Sequence, residues 1–306
     1  MLNRRILRIK AFKVLYSCAE NRDLKLKEAL AGLDTSCEAT RDLYLFMLAL
    51  IPALTAEAAR RIEAARGKFN PTEEDLHPNT RFAANGISAL LDGDPDFQKL
   101  LGKKKLSWSQ NDVFLHNLYE TLKNRPYYIA YMEDRESSLK KDAALWQRLF
   151  TEELEDDEAL SAILEDLSIH WADDLPYVLG CCIRSLEEMG GSGRWNYPPL
   201  CQTDSHTFVR SLLTATYGRY KEYSDLIAQS VSKWEQDRLF ITDIILIAMG
   251  LAEAETFPDI PIRVTINEYV EISKYYSTPK SRGFVNGLLD RLIKDRMQQG
   301  IINKSV

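Results

Sequence analysis

The sequence has 306 residues and a mass of 35.1 kDa, with 45% hydrophobic and 27% charged residues. This composition is typical of a folded soluble protein, and the length suits one large domain or two ordinary ones. No apolar run approaches the roughly 20 residues needed to cross a bilayer, since the longest candidate is interrupted by Pro52, so we expect no membrane segment. The basic N-terminus lacks the apolar core and cleavage site of a signal peptide, so we expect a cytoplasmic protein.

The net charge of −6 is unevenly distributed along the chain. Residues 1–13 contain five basic residues and no acidic one, and the chain is again mainly basic from Lys280 onward. By contrast, residues 152–174 contain ten acidic residues and neither lysine nor arginine. The two ends could therefore attract a polyanion that the middle of the chain would repel.

Apolar residues recur at three- and four-residue spacing along most of the chain, which indicates helices, and we find no convincing alternating strand. Segments rich in proline, glycine and aspartate, such as "DGDPD" and "NRP", are interpreted as turns or loops between them. The pattern predicts an all-α protein built of helical bundles. The predicted helices span residues 3–20, 36–68, 108–123, 137–155, 158–170, 175–189, 204–233, 236–253, 264–276 and 281–297.

The sequence offers no positive reason to expect an enzyme. The four histidines are far apart, none forms an i, i+4 ligand pair, and the adjacent Cys181 and Cys182 do not make a Cys-x-x-Cys site. The "GGSG" segment lacks the Gly-Lys-Ser/Thr ending of a phosphate-binding loop, and no Gly-x-Ser-x-Gly motif occurs. We therefore expect no catalytic residue, no metal site and no cofactor.

The first predicted helix carries the clearest candidate binding face. By the 3.6-residue repeat, Arg4, Arg5 and Arg8 fall within an arc of roughly 100° on this helix. Planar guanidinium groups match phosphate oxygens in pairs, and Tyr16 adds a ring on which an unpaired base could stack. An ordinary solvated basic face remains the alternative interpretation of this helix taken alone.

The C-terminal third predicts two helices joined by the short loop "STPKS", and therefore an antiparallel pair. Thr265 and Glu268 have the spacing of a capping box at the start of the first. The second contains Asn286 and Gly287, a dipeptide typical of turns, within apolar residues at helical spacing. We expect Gly287 to permit the close approach of a neighbouring helix.

Three segments carry a resemblance to a known family. The stretch "PIRVTINEYVEISKYYSTPKSRGFVNGLLDRL" resembles the C-terminal signature of the bacterial transcription antitermination factor NusB family. The opening "RRILRIKAFKVLYS" is similar to that family's arginine-rich first helix, and residues 208–253 resemble its middle helices, including an Arg-Leu-x-x-x-Asp motif. The resemblance covers residues 3–30 and 204–296, whereas the region near 35–203 has no counterpart in a typical member.

The resemblance implies an all-helical, non-enzymatic RNA-binding protein. Members of the family bind single-stranded boxA RNA of ribosomal RNA leaders together with NusE, a small-subunit ribosomal protein, in the RNA polymerase antitermination complex. NusE would be expected along residues 236–268, and a homodimer is compatible with the resemblance, because some members pair through their RNA face. Carried onto this chain, the RNA-binding residues are Arg4, Arg5, Arg8, Tyr16, Lys280, Ser281, Arg282 and Phe284.

The predicted organisation is therefore a NusB-like RNA-binding domain formed by residues 1–34 and 204–306. Residues 35–203 form an inserted helical region that is acidic in its second half. Two other functions stay open: a helical protein-interaction scaffold with solvated basic faces, and a NusB-like domain associated with RNA modification.

Overall fold

The computed structural model describes residues 1–21, 23–231 and 239–304. Within these residues the protein is all-α and contains no β-strand, which confirms the predicted fold class. A short 3₁₀ turn, Ala172–Asp174, precedes the tenth helix. The helices are α1 Arg4–Glu20, α2 Leu26–Arg66, α3 Glu73–Leu76, α4 Gly86–Asp92, α5 Pro95–Lys104, α6 Asp112–Lys123, α7 Pro126–Glu133, α8 Leu139–Glu152, α9 Glu158–Leu167, α10 Leu175–Ser192, α11 Thr203–Gln229, α12 Ile241–Thr256, α13 Ile262–Tyr276 and α14 Ser281–Gln298.

The long helices follow the apolar periodicity, but four shorter ones, α3, α4, α5 and α7, lie in or near segments interpreted as loops. In "DGDPD", Asp94 accepts a hydrogen bond from the backbone of Phe97 and Pro95 is the first residue of α5. Pro126 likewise begins α7. Proline is well tolerated in a first helical turn, so these prolines start helices where the prediction placed breaks. The predicted helices 204–233 and 236–253 extend into residues 232–238, which lie outside the described residues.

Helix α2 continues through Pro52, as the predicted helix 36–68 does, although Pro52 interrupts the apolar run of the sequence. By length and composition alone it could cross a membrane, with a mean hydropathy of 1.5 over its most apolar window. However, 72% of that window is buried inside the protein, and residues 43–51 are all buried. Burial of this kind is typical of a core helix, and the finding is weak support for a membrane segment.

The chain divides into two compact units. Residues 1–37 and 199–306 form unit 1, and residues 38–198 form unit 2. The predicted boundaries, at 34/35 and 203/204, lie a few residues from these. The assignment of an RNA-binding role to one of the units stays a prediction.

Unit 1 is organised around α12, whose residues from Ile245 to Ala254 are all buried. The helix packs against α1, α11, α13 and α14. Its contact with α14 is close at Gly250, where the missing side chain leaves room for Leu289. A Cβ added at Gly250 would lie only 2.6 Å from Cδ2 of Leu289. Gly287, by contrast, is exposed and has nothing within 4 Å of such a Cβ. The prediction that Gly287 permits the close approach is wrong, and the glycine that does so lies on the partner helix.

Unit 2 has an aromatic core, in which the rings of Phe46 and Trp108 stack with their centroids 4.2 Å apart. Its most extensive helix pair is α8 with α10. These two helices approach at Gly190, where an added Cβ would lie 2.8 Å from the Cβ of Ala143 and 3.4 Å from the Cα of Lys140. Each unit therefore contains a glycine that allows a close crossing of two helices.

Candidate nucleic-acid interface

The predicted arginine face begins with the first residue of α1. Asn3 caps the helix, because its side-chain oxygen accepts a hydrogen bond of 3.0 Å from the backbone of Ile6. Arg4 is exposed and reaches Asp204 on α11 at 3.3 Å. The guanidinium of Arg4 also lies 5.1 Å from the centre of the Phe208 ring, a cation–π distance. Arg4 is therefore at the surface and only loosely held.

Arg8 lies inside unit 1, with 3% of its side chain exposed. Its Nε and Nη2 donate to the two carboxylate oxygens of Glu253 at 2.7 and 2.8 Å. Glu253 also accepts hydrogen bonds from Thr265 at 2.9 Å and from Tyr269 at 3.0 Å. Burial alone would lower the pKa of Arg8, but the hydrogen bonds and charge of Glu253 outweigh it and raise the pKa. Arg8 thus joins α1 to α12 and α13, and it is not presented to solvent.

Arg5 lies at the edge of the same cluster and is half exposed, with 49% of its side chain accessible. Its Nε and Nη2 donate to Glu268 at 3.0 and 2.7 Å. The Arg5 hydrogen bonds lower the pKa of Glu268, and the same pair raises the pKa of Arg5. The predicted capping box is wrong, because α13 begins at Ile262 and Thr265 is a buried donor to Glu253. Glu268 is instead a competitor for any anion that approaches Arg5.

Aromatic side chains continue this surface toward the C-terminal end of α13. The rings of Phe12 and Tyr276 lie 5.4 Å apart, and Nζ of Lys13 is 5.6 Å from the centre of the Tyr276 ring. Arg5 pairs with Glu268, and Phe12 lies against Tyr276. The residues of α1 thus meet those of α13 in the same order, so the two helices run in the same direction. The distance covered is roughly 12 Å, the rise of the eight residues from Glu268 to Tyr276. Tyr16 is partly exposed and Tyr275 is 81% exposed.

The loop between α13 and α14 is attached to α12 by a buried carboxyl group. Asp243 accepts hydrogen bonds from Ser277 at 2.6 Å and from Ser281 at 2.9 Å. Burial raises the pKa of Asp243, although the two hydroxyl groups oppose the shift. Ser281 is only 2% exposed, so its side chain faces the protein. Asp243 thereby fixes the backbone on which Lys280 is carried.

Lys280 and Arg282 flank Ser281 and are exposed, while Phe284 is partly exposed. In the described part of the chain, no carboxylate lies within ion-pair distance of either cation. The carboxyl group of Glu271 on α13 is influenced by cations of both groups. Its pKa is lowered mainly by Lys274, and further by Arg5 and Arg282.

Two groups of predicted residues are therefore present. Arg4, Arg5 and Arg8 lie together, and Lys280, Ser281, Arg282 and Phe284 lie together on the loop and the start of α14. The sequence did not point to Glu253, and it assigned Glu268 to a capping box; these are the acids that pair with Arg8 and Arg5. The available signal for Glu253 was its place, with Glu255, at the end of the apolar run "IAMGLAEAE". Such an acid is rarely buried without a partner.

In the described residues, no group of three or more His, Cys, Asp or Glu side chains could hold a metal ion. The groove beside the arginines has a volume of about 470 Å³ and is lined by both charged and apolar side chains. Its charged residues are Arg4, Arg5, Arg8, Asp259 and Glu268.

The family model described as the NusB family matches residues 193–294, which include α11 to most of α14. The transcription antitermination protein NusB of Methylacidiphilum infernorum is 39% identical over 101 residues, which are 33% of this chain and 70% of that protein. The chain belongs to the NusB family. Helix α1 lies outside the matched residues, so its likeness to the family's arginine-rich helix stays a prediction.

Other NusB-family relatives match over a smaller part of their length. The transcription antitermination protein NusB of Salinibacter ruber is 35% identical over 98 residues, 32% of this chain and 61% of that protein. That of Chloroherpeton thalassium is also 35% identical over 98 residues, which are 46% of its length. The chain thus spans about half to two thirds of the length of these NusB relatives. No solved structure matches the chain significantly.

Proposed function

We propose that this protein is a non-enzymatic transcription antitermination factor that binds single-stranded boxA-like RNA through unit 1. In this proposal it acts in the cytoplasm, with NusE, in an RNA polymerase antitermination complex. The observation that carries the proposal is the pair of exposed cations, Lys280 at the end of the loop and Arg282 in the first turn of α14, both within the family-matched residues. The names of the relatives, transcription antitermination protein NusB, support the same role.

The RNA would contact the exposed members of the predicted set. Arg4 and Arg5 would meet phosphates at one end of the surface, and Lys280 and Arg282 at the other. Tyr16 and Phe284 would supply rings for stacking with unpaired bases, a contact worth about 1–3 kcal/mol per base in single-strand binding. Arg8 and Ser281 would be positioning residues, because Glu253 and Asp243 hold their side chains inside the unit.

A NusE-type partner would have only part of the predicted stretch available. Residues 236–238 lie outside the described residues, and α12 is buried from Ile245 to Ala254. The partner would therefore contact the ends of this stretch, where Phe240 and Val264 are exposed. A homodimer through the same RNA face would compete with RNA.

Binding of a labelled boxA-like RNA and of a scrambled RNA, measured by fluorescence anisotropy with and without NusE at two salt concentrations, tests the proposal. We expect preference for the boxA-like RNA, tighter binding with NusE, and a loss of affinity as salt rises. Each phosphate contact with a single strand contributes about 0.7 to the slope of log K against log salt. Equal binding of the two RNAs with no gain from NusE would contradict the proposal, and salt-independent binding would favour the protein-interaction scaffold.

Single substitutions locate the surface within unit 1. We expect Arg5→Ala to raise the Kd about 3- to 10-fold and to lower the salt slope by about 0.7, since one phosphate contact is lost. Glu268→Gln should lower the Kd about 2- to 3-fold, because it frees Arg5 from its carboxylate partner.

Phe284→Ala should weaken binding at both salt concentrations through lost stacking. Lys221→Ala is the matched control, since it removes one exposed positive charge from α11 outside the predicted set.

A further inference from the structure

Unit 2 contains an open groove between α6 and α9. The groove has a volume of about 510 Å³. Its floor is apolar and buried, formed by Phe114 and Leu118 of α6. Its sides include Val113, which is 76% exposed, and the exposed Ala162 of α9. Exposed aliphatic side chains beside an apolar floor are typical of a docking surface.

The apolar side of the groove continues along α9. Ile163 lines the groove and is partly exposed, and Leu167, one helical turn later on the same face, is half exposed. Ala159 and Ala162 are small, so the backbone of another helix can approach α9 closely. An amphipathic helix commonly binds in the groove between two neighbouring helices, with its axis about 8–10 Å from each of theirs.

The charges around the groove are negative. Asp112, Glu153 and Asp157 line it, and no lysine or arginine is among its lining residues, all of which are described. Arg125 neutralises Glu153, with its Nη2 2.6 Å from the carboxylate, whereas Asp112 is 66% exposed and only loosely paired, 3.5 Å from Nη2 of Arg60. The α9 segment lies within residues 152–174, which contain ten acids and no lysine or arginine. RNA phosphates are repelled by such a surface, and cationic side chains are attracted to it.

We propose that the groove between α6 and α9 is the docking site for a basic amphipathic helix of a partner protein. The apolar face of the helix would lie on Phe114, Leu118 and Ile163, and its lysines and arginines would meet Asp112 and the acidic segment of α9. The acidic insertion is then a protein-binding module attached to unit 1, and its partner is recognised by helical apolar spacing together with positive charge. This inference does not depend on RNA binding by unit 1.

The test uses the full chain and a defined probe. The probe is a fluorescein-labelled peptide of about 18 residues, five helical turns, with leucine at positions i, i+3, i+4 and i+7 of each repeat and lysine elsewhere. A second peptide carries glutamate in place of every lysine. We expect the lysine peptide to bind at least about tenfold more tightly in anisotropy titrations near 0.1 M salt, where exposed charges act over about 10 Å.

Two pairs of variants assign that binding to the groove. Ala162→Trp should fill the groove and raise the Kd at least about tenfold, while Ala130→Trp, at an exposed alanine of α7 outside it, should leave the Kd within about twofold, since only local contacts carry the effect. Asp112→Asn should raise the Kd more than Asp166→Asn, an identical change of charge on α9 outside the lining. Circular dichroism verifies that each variant is folded.

Any of three results overturns the inference: no binding of the lysine peptide, equal binding of the two peptides, or unchanged binding by Ala162→Trp together with Asp112→Asn. The labelled boxA-like RNA is measured in parallel. If Ala162→Trp weakens RNA binding, the groove belongs to RNA and the inference is overturned. Unchanged RNA binding with loss of peptide binding supports it.

Discussion

Both units bury carboxyl groups, and Glu253 of unit 1 and Asp142 of unit 2 are satisfied by different kinds of partner. In unit 1, Glu253 is held by the charged guanidinium of Arg8. In unit 2, Asp142 is held by neutral donors, the backbone of Gly86 and the hydroxyl of Tyr131, each at 2.8 Å. The two sites differ in whether a buried cation balances the buried carboxylate. The buried ion pair lies directly behind the exposed arginines, whereas unit 2 fixes its core without a buried cation beside Asp142.

The largest expected effect is the loss of the carboxylate in unit 1. Glu253→Ala leaves Arg8 buried without its partner, which costs about 3–5 kcal/mol in the free energy of unfolding. Asp142→Ala leaves two neutral donors without an acceptor and should cost less, about 1–3 kcal/mol. Amide hydrogen exchange in increasing urea, followed by mass spectrometry of peptides from α12 and from α8, measures the two units separately.

A double variant is the control for that comparison. Replacing Arg8 and Glu253 together with leucine removes both charges, and apolar replacement of a buried ion pair is often neutral or stabilising. Recovery of part of the lost stability is therefore expected, since the buried hydroxyls of Thr265 and Tyr269 still lose their acceptor. If Glu253→Ala and Asp142→Ala lower the free energy of unfolding by the same amount, then losing a charged partner costs no more stability than losing neutral ones, which contradicts the prediction.

The two glycine crossings give an intermediate effect. Gly190→Ala in unit 2 would press a methyl group against the Cβ of Ala143 and the backbone of Lys140, which cannot rotate away. Gly250→Ala in unit 1 would meet the terminal methyl groups of Leu289, which can shift slightly. We expect both to destabilise by about 1–3 kcal/mol, the first more than the second. The same exchange measurement gives both values.

Gly287→Ala is the matched control, since it lies in a helix with open space around it. It should stabilise unit 1 by roughly 0.5–1 kcal/mol, the helix propensity difference between alanine and glycine. If Gly287→Ala instead destabilises unit 1, then a neighbouring helix does approach closely at Gly287, as the sequence analysis expected.

The smallest expected effect is a pH dependence that is specific to Asp243 in unit 1. Because its pKa is raised above the ordinary value of 3.8 in the folded protein, the folded state holds the proton more tightly than the unfolded state. Its contribution to stability is therefore fully present below pH 3.8 and falls as pH rises through the raised pKa. Asp243→Asn does not titrate, so the stability of the wild type relative to this variant should decrease from pH 4 upward. Urea unfolding at several pH values measures the difference, and a constant difference would contradict the prediction.

Local sequence patterns accounted for most long helices, because burial of one face produces the 3.6-residue repeat. They failed at short helices such as α5 and α7, whose first turns contain the prolines that usually mark turns. Arg4, Arg5 and Arg8 looked equivalent on a helical wheel. Their different exposure depends on Glu253 and Glu268, which approach from residues more than 240 positions away. No local pattern contains that information.

The same limit explains the glycine in α14. Within one helix, Gly287 was the only small residue between apolar positions 284 and 293, so it was the natural candidate for a close crossing. The contact is instead made by Gly250 from α12, against Leu289 of α14. Which of two facing helices supplies the small residue is settled by their mutual rotation, which the sequence of either helix alone does not specify.

The pairing of Arg8 with Glu253 also has a consequence for synthesis on the ribosome. The two residues are 245 positions apart, and unit 2 is encoded as the continuous segment 38–198 between them. At about 5–20 residues per second, Glu253 is made roughly 12 to 50 s after Arg8. Helix α1 is therefore synthesised well before the helices of unit 1 that cover its apolar face and its arginines. All of unit 2 is synthesised in between. During that interval the nascent chain presents a basic amphipathic segment and is most in need of protection from aggregation.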